Sequence, residues 1–198
     1  MYSYSEGGLS ITSFIGESFL KVDITLHQLE SVKPSSEFKY MLIIKDNNRF
    51  IENLKKKSKK VNVRIPSVKE FKQFLFELID SQIYAARHTA RGWELSAIGE
   101  AEYEGRRLFD ILAKLRGREQ YGFREVEKWM SREELSMLEA TRCNSTKTED
   151  IKRTMRAVWK FAEYVKKEYE KVMKVKVKLS YDYKEILKIA NKIYDSNK

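Results

Sequence analysis

The segment TKTEDIKRTMRAVWKFAEYVKKEYEKVMK, residues 146–174, carries the most regular hydrophobic pattern of this chain of 198 residues. Its lysines and arginines lie outside a seam in which apolar residues recur at alternating spacings of four and three: Ile151, Met155, Val158, Ala162, Val165, Tyr169 and Val172. This spacing predicts one long amphipathic helix over 147–174. The seam suits either the other helices of the chain or the same helix of a second copy, so a homodimer through 147–174 is one expectation.

Capping boxes mark several helix starts in the sequence. In each, a side chain that accepts a hydrogen bond is followed three residues later by glutamate: Ser67 with Glu70, Ser131 with Glu134, Thr146 with Glu149, and Asp182 with Glu185. Small residues recur every fourth position at Ala97, Ala101 and Gly105, which predicts the close approach of a second helix. Residues 66–174 are therefore predicted to be mainly helical.

The amino-terminal third alternates instead between apolar and polar residues, which is the period of a strand with one buried face. The clearest example is the run Leu20, Val22, Ile24 and Leu26, and LSITSFI at 9–15 is a weaker one. The apolar KYMLII at 39–44 is typical of an interior strand, joined to 20–26 by a turn at 33–36. Two later strands are predicted, VNVRI at 61–65, which the lysine-rich KKKSKK precedes, and VKVKLSY at 175–181.

These elements predict a single α+β domain over residues 1–198, in which a mainly antiparallel sheet is covered on one face by several helices. Residues 1–65 would form a β-rich lobe, 66–174 a helical lobe, and 175–198 a carboxyl-terminal strand and helix. The length fits one core, because domains typically contain about 100 to 200 residues.

The composition is strongly basic. Lys and Arg number 39 against 29 Asp and Glu, which gives a formal charge of +10 and a pI near 9.5. Such a surface suits nucleic acid or an anionic membrane. The competing explanation is solubility together with a thermophile-like composition, since charged residues make up 34% of the chain.

Several kinds of site are missing from the sequence. A lone Cys143 cannot form an internal disulfide, and with two histidines the chain lacks the ligands of a structural zinc site. No glycine-rich phosphate loop or nucleophile elbow occurs, so we expect no cofactor and no metal, and we do not favour an enzyme. The amino terminus does not resemble a signal peptide, and no apolar run is long enough to span a bilayer. We therefore expect a cytoplasmic protein without a membrane partner.

Two surfaces are candidates for binding the phosphates of DNA or RNA. The first is the outer face of the predicted sheet, which would collect Lys21, Lys39, Lys45, Arg64, Lys176 and Lys178. Lysines on exposed strands also protect sheet edges from aggregation, and this second role fits the same residues. The leading prediction is a non-enzymatic protein that contacts nucleic acid through Lys and Arg.

The second surface lies in SREELSMLEATRCNSTKTEDIKRTMRAVW, residues 131–159, which resembles a helix-turn-helix. The resemblance implies contacts to DNA from the later helix, through Lys147, Lys152, Arg153 and Arg156. The sequence departs from that motif because the connection from Thr141 to Thr146 is longer than the usual three or four residues.

An alternative is a metal-dependent nuclease. Asp23 followed by Glu37 and Lys39 resembles the pattern of restriction-endonuclease-like nucleases, in which two carboxylates hold Mg²⁺ and the lysine assists the attacking water. If residues 33–36 turn a hairpin, however, Asp23 would lie more than about 20 Å from Glu37, too far to share a metal ion. A third class is an oligomerisation or scaffold protein built on the helix 147–174.

One further stretch, ARHTARGWE, crowds His88, Arg91 and Trp93 near a predicted helix end. His88 could act as a general base or bind phosphate with its arginine neighbours. The simpler explanation is that the helix dipole favours cations at that end, with Trp93 in the core.

Overall fold

A computed structural model describes residues 2–5, 8–15, 20–35, 38–39, 41–119, 122–123, 125–179 and 183–195. The chain divides into two compact units, Met1–Asn62 and Val63–Lys198. The organisation into one domain with three lobes stays a prediction.

The first unit contains a small antiparallel meander and one short helix. Three strands pair in chain order: β1 (Tyr2–Ser5), β2 (Gly8–Ile15) and β3 (Leu20–His27). A 3-10 turn at Leu29–Ser31 follows β3, and helix α1 covers Phe50–Ser58.

The second unit is a bundle of helices: α2 (Val68–Ala90), α3 (Glu94–Leu115), α4 (Arg132–Ala140), α5 (Thr148–Met173) and α6 (Tyr183–Asp195). Helix α3 packs against both α2 and α5, while α4 packs on α5 and α6 packs on α2. Gly92, with a φ of +73°, makes the tight turn between α2 and α3, because glycine adopts the left-handed conformation without steric cost.

Helix α5 contributes its apolar seam to the core of the second unit. Ile151, Val158, Val165 and Tyr169 are fully buried. The Tyr169 ring stacks on Phe71 of α2 with 4.0 Å between ring centroids, and its hydroxyl donates to the Pro66 carbonyl at 2.8 Å. The predicted long amphipathic helix is therefore confirmed. Because its seam from Ile151 to Tyr169 is already buried by the chain's own helices, a homodimer through 147–174, which stays a prediction, would have to displace them.

The prediction of an α+β fold with a mainly antiparallel sheet is wrong, because the structure is mostly helical. The strands that the structure describes end at His27, and the core of the second unit consists of helices and the loops between them. None of the described helices combines the length and the apolarity needed to cross a membrane.

Two segments predicted as strands are extended chain without a pairing partner. At 175–179, Val177 is buried, Lys176 and Lys178 are exposed, and the Val177 N–H donates to the Glu170 carboxylate at 2.7 Å. At 61–65 the same alternation turns Ile65 toward the helical core. The period of two is real in both, but it arises because an extended chain docks one side on helices, and this needs no ladder of hydrogen bonds.

The predicted interior strand at 39–44 also does not form. Residues 41–44 have no strand, and the side chains of Leu42 and Ile44 are 87% and 94% exposed. The expected hairpin between this segment and 20–26 is therefore absent, and β3 pairs with β2 instead. An apolar run indicates burial only when some other element covers it.

Two of the four capping boxes are confirmed. Ser67 and Ser131 each accept a bond from the glutamate N–H three residues on, and each glutamate carboxylate accepts from the cap's own N–H. The box predicted at Thr146 is wrong, because Lys147 is the residue before α5 and makes no side-chain cap bond. Asp182, the fourth predicted cap, lies outside the described residues.

The row of small residues on α3 does allow a close approach, at Gly105. A Cβ added there would lie 2.6 Å from Thr141 Oγ1 and 2.9 Å from Thr141 Cβ. Thr141, directly after α4, is buried and donates its hydroxyl hydrogen to the Leu138 carbonyl at 2.6 Å. A Cβ at Gly99, six residues earlier on the same helix, would meet nothing within 4 Å.

We predict that Gly105→Ala destabilises the protein by about 1–3 kcal/mol, because the new methyl group overpacks a buried contact. Gly99→Ala is the matched control, and it should stabilise by about 0.5–1 kcal/mol, since alanine is the better helix former and the methyl group enters open space. Urea unfolding of both variants checks this. Equal effects at the two glycines would contradict the close contact with Thr141.

Glu134 joins three helices of the second unit. Its carboxylate accepts from the Ser131 N–H at 2.7 Å, from the Tyr164 hydroxyl of α5 at 2.8 Å and from Arg116, at the end of α3, at 3.0 Å. Arg116 also pairs with Glu168. Burial raises the pKa of the Glu134 carboxyl, but these hydrogen bonds outweigh it and hold the pKa below its ordinary value. Burial and the bond to Glu134 raise the pKa of Tyr164 to about 12.

Glu134→Gln should destabilise the protein at pH 7 by about 1.5–3 kcal/mol, because an amide cannot accept all three of these bonds. Since the pKa of Glu134 is lowered by folding, its contribution is present above the unfolded pKa, about 4.5, and is lost as the pH falls through the folded pKa. The gap between wild type and variant should therefore shrink below pH ~4.5. Glu139→Gln, on the same helix but exposed, should change little. A gap that stays constant with pH would contradict the charged network.

Candidate nucleic-acid interface

The cations predicted to share one sheet face do not share a sheet. Lys21 lies on β3, whereas Lys39 and Lys45 lie on chain without strand. Arg64, Lys176 and Lys178 lie on the two extended segments of the second unit, where Arg64 pairs with Glu70 and Lys176 with Glu170. The prediction that these cations share one sheet face is therefore wrong, because the fold is mostly helical. A role in binding stays a prediction for each residue.

Among the cations predicted to contact DNA in a helix-turn-helix, Lys152 instead links α5 to α6. Its side chain is buried, and its ammonium group lies 3.1 Å from the Glu149 carboxylate and 2.8 Å from that of Asp195 in α6. Arg156, also on α5, donates to Asn191 of α6 at 3.3 Å. Lys147, before the first turn of α5, is exposed.

Arg153 holds the end of α4 against α5. Its guanidinium pairs with Asp150 at 2.8 Å and donates to the carbonyls of Arg142 and Ala140 at 3.2 and 3.4 Å. The hydroxyl of Thr154 also donates to the Arg142 carbonyl at 3.3 Å. Carbonyls at a helix end lack partners within the helix, and these donors supply them. Arg153 therefore positions Arg142, a residue that was not predicted to belong to a binding site.

We predict that Arg153→Gln and Arg153→Lys both destabilise the protein, by about 1–2 kcal/mol, because neither side chain reproduces the several N–H donors of a guanidinium. Lys147→Gln, which removes a charge from an exposed neighbour, should change stability by less than about 0.5 kcal/mol. Thermal unfolding at pH 7 compares the three. Full stability of Arg153→Lys would show that only the charge matters.

The predicted nuclease trio is only partly described. Asp23 lies on β3 opposite Thr12 of β2, Lys39 lies outside any strand, and Glu37 is outside the described residues. The hairpin that would set the distance between Asp23 and Glu37 is absent, as described above for 39–44. Within the described ranges, no group of three or more His, Cys, Asp or Glu side chains could hold a metal ion.

His88 is a buried residue near the end of α2. Its ring lies between those of Tyr84 and Trp93, with centroid distances of 4.0 and 5.3 Å, and its backbone carbonyl accepts from the Trp93 N–H. Arg91 lies over the Trp93 ring. The side chains around His88 are aromatic, which favours a packing role, whereas Trp93 itself is half exposed rather than in the core.

A run of exposed lysines spans the last turn of α1 and the two residues after the helix: Lys56, Lys57, Lys59 and Lys60. Among the described residues none of the four forms an ion pair. Their neighbour Lys55 differs, because its ammonium group donates to the Met41 carbonyl at 2.8 Å. These lysines stand together in the sequence as KKKSKK, but they were not among the residues predicted to bind.

A cleft of about 540 Å³ opens in the second unit between α3, the end of α4 and the loop that carries Phe123. Tyr103 and Arg106 of α3 line it, together with Arg142 and Phe123, and all four are exposed. Gly99 and Gly105 form part of its α3 side. Neither arginine forms a direct ion pair with a carboxylate that the structure describes, although Arg106 interacts electrostatically with Asp110 of the same helix.

Buried contacts position the aromatic rings of this cleft. Arg107 lies over the Tyr103 ring, 5.4 Å from its centroid, and is itself held by Glu104 at 3.2 Å and Glu77 at 2.6 Å. Burial raises the pKa of the Glu104 carboxyl, although bonds from Ser81 and Arg107 favour its charged form. This network and the Phe74 ring, whose centroid lies 4.6 Å from the Arg107 guanidinium, fix Arg107, which borders the ring of Tyr103 from the side of the core.

Phe123 and Arg142 are positioned in a similar way. The Phe123 ring packs on Phe109 of the core, with 5.0 Å between centroids, and Arg142 lies 5.6 Å from the Phe123 centroid. With its carbonyl bound by Arg153 and its guanidinium against a ring, Arg142 is oriented at both ends.

No family model matches the chain, and neither a curated protein nor a solved structure is significantly similar to it. Its function is therefore inferred from its own residues.

Proposed function

We propose that the protein binds nucleic acid, without catalysis, through lysines and arginines that contact phosphates. The observation that carries the proposal is the lysine run at 56–60, where four exposed ammonium groups lie within five residues and none is paired with a described carboxylate. Unpaired cations in such a cluster can displace the counterions of a phosphate backbone, which is the main source of affinity in non-specific binding.

Two other roles for the lysine run must be weighed. A helix dipole favours cations in the last turn of α1 by about 0.3–1 kcal/mol each, which accounts for Lys56 and Lys57 but not for Lys60, beyond the helix end. Solubility is a general benefit of surface charge and requires no clustering. The concentration of four charges in one place favours a polyanionic partner.

The structural cations sharpen the proposal. Three cations of α5 already donate to carboxylates, carbonyls and an amide of the same chain: Lys152, Arg153 and Arg156. Contact with phosphate would cost these bonds, so we assign them to the fold. The lysine run remains available to the ligand, as does Lys147.

We predict that replacing Lys56, Lys57, Lys59 and Lys60 by glutamine lowers the slope of log affinity against log salt by about 3 for a single strand, since each phosphate contact contributes about 0.7. The matched control removes the same charge from exposed lysines on four different elements: Lys69, Lys128, Lys160 and Lys188. Its slope should stay near that of wild type. Fluorescence anisotropy of labelled single- and double-stranded DNA and RNA across a salt series measures both.

Equal losses in the two variants would contradict a localised surface and leave only net charge. Binding to vesicles that contain phosphatidylserine, with no binding to any oligonucleotide at low salt, would overturn nucleic acid as the partner. The same samples incubated with Mg²⁺ and analysed for strand cleavage test the nuclease alternative.

A further inference from the structure

The cleft between α3 and the end of α4 combines features that the lysine run lacks. It is concave, with a volume of about 540 Å³, which lies within the range of about 300–1,000 Å³ typical of small-molecule sites. Aromatic rings and guanidinium groups line the same space. An anion alone would need only the arginines, so the rings indicate a ligand with a flat apolar part.

Tyr103 provides the stacking surface. Its side chain is 59% exposed although Arg107 lies against its ring from α3. Such a ring is held in place and still presents area to a ligand. Stacking of a base on an aromatic side chain is worth about 1–3 kcal/mol and is available only when the base has left its own stack, as in a single strand.

Arg106 and Arg142 provide the charge. Arg106 lies on α3 and Arg142 is the second residue after α4, so their guanidinium groups reach the cleft from two different parts of the chain. Arginine binds phosphate through paired N–H donors and is weakly hydrated, which suits a partly enclosed site. The orientation of Arg142 by Arg153 and Phe123 reduces the entropy that binding would cost.

The cleft also contains a carboxylate, from Glu102. It repels phosphate, so a ligand must place its phosphate away from Glu102 and a hydrogen-bond donor near it. The exocyclic amino groups of adenine, cytosine and guanine are such donors, whereas uracil has no amino group and offers only its ring N3–H. The mixed lining therefore suits a nucleotide better than a simple anion.

We propose that this cleft binds one unstacked nucleotide, with its base on Tyr103, its phosphate on Arg106 and Arg142, and its amino group near Glu102. The inference rests on the proposed function for the claim that this nucleotide belongs to a strand. It adds that the protein prefers single-stranded to double-stranded nucleic acid, because a base inside a duplex cannot enter the cleft.

The test is calorimetric titration of the full chain with free AMP, CMP, GMP and UMP, and with inorganic phosphate as the probe without a base. We expect the three nucleotides with amino groups to bind more tightly than UMP, and phosphate to bind weakest. Tyr103→Leu, which keeps an apolar side chain, should weaken nucleotide binding by at least about fivefold, the lower end of a base-stacking contribution. Glu102→Gln should reduce the difference between UMP and the others.

A second variant blocks the cleft without removing any ligand contact. Gly99→Leu places a side chain where a Cβ meets nothing within 4 Å, so the helix should tolerate it while the cleft is filled. Gly99→Ala adds only a methyl group to the same position, so it should lower nucleotide affinity less than Gly99→Leu does. Circular dichroism and the unfolding midpoint confirm that each variant is folded before its affinity is compared.

Failure of the cleft and failure of the proposed function are distinguishable. Nucleotides that bind no better than phosphate, or equally well in Gly99→Leu and wild type, would overturn the cleft even if oligonucleotides bind through the lysine run. Nucleotides that bind in the cleft while oligonucleotides do not bind would retain the cleft as a nucleotide site and overturn the proposed function. The variant with glutamine at 56, 57, 59 and 60 should bind free nucleotides as wild type does.

Discussion

Burial of one face of α5 is the constraint on which the second unit depends. Side chains such as Val158, Val165 and Tyr169 lose all their exposed area there, and each fully buried apolar side chain contributes about 1.5–3 kcal/mol. Tyr169 connects α5 to a distant part of the sequence, because its ring stacks on Phe71 and its hydroxyl donates to the Pro66 carbonyl just before α2. Once the seam faces inward, the cations of α5 are left at the surface and at the boundaries with α4 and α6.

The position of those cations decides what each can do. Near the amino-terminal end of α5, Lys152, Arg153 and Arg156 connect to α6 and to the end of α4. These side chains bind partners within the protein, and one of them, Arg153, positions Arg142 beside the cleft. A formal charge of +10 therefore overstates the surface available to a polyanion. Counting the partners of each cation separates those that hold helices together from those that are available to bind.

The helical part of the fold could be predicted from the sequence because its signals are local. The heptad spacing of α5, the boxes at Ser67 and Ser131 and the small residues facing Thr141 each describe interactions within a helix or between neighbours. The strands at 9–15 and 20–26 could be predicted, but the prediction of a larger sheet is wrong, because alternation at 61–65 and 175–179 specifies only a chain with one inward side. A strand requires a partner, and no local pattern states whether that partner exists.

The candidate site shows the same division. The lysine run is a composition signal and stands in the sequence as KKKSKK. The cleft has no such signal in the sequence. Its residues meet only when α3, a loop and the end of α4 come together, and they are spread over forty positions: Tyr103, Arg106, Phe123 and Arg142. Predicting Arg142 would have required knowing that Arg153 binds its carbonyl, which is a tertiary contact.

The lysine run and the arginines of the cleft are proposed to bind nucleic acid, whereas the cations of α5 that hold helices together are not. The most direct measurement is the change in backbone amide chemical shifts of the isotopically labelled protein when a short single-stranded oligonucleotide is added. We expect changes at 56–60 and around Tyr103, Arg106 and Arg142, with small changes on α5 at 152–156. Changes concentrated at 152–156, or none anywhere at low salt, would contradict this expectation.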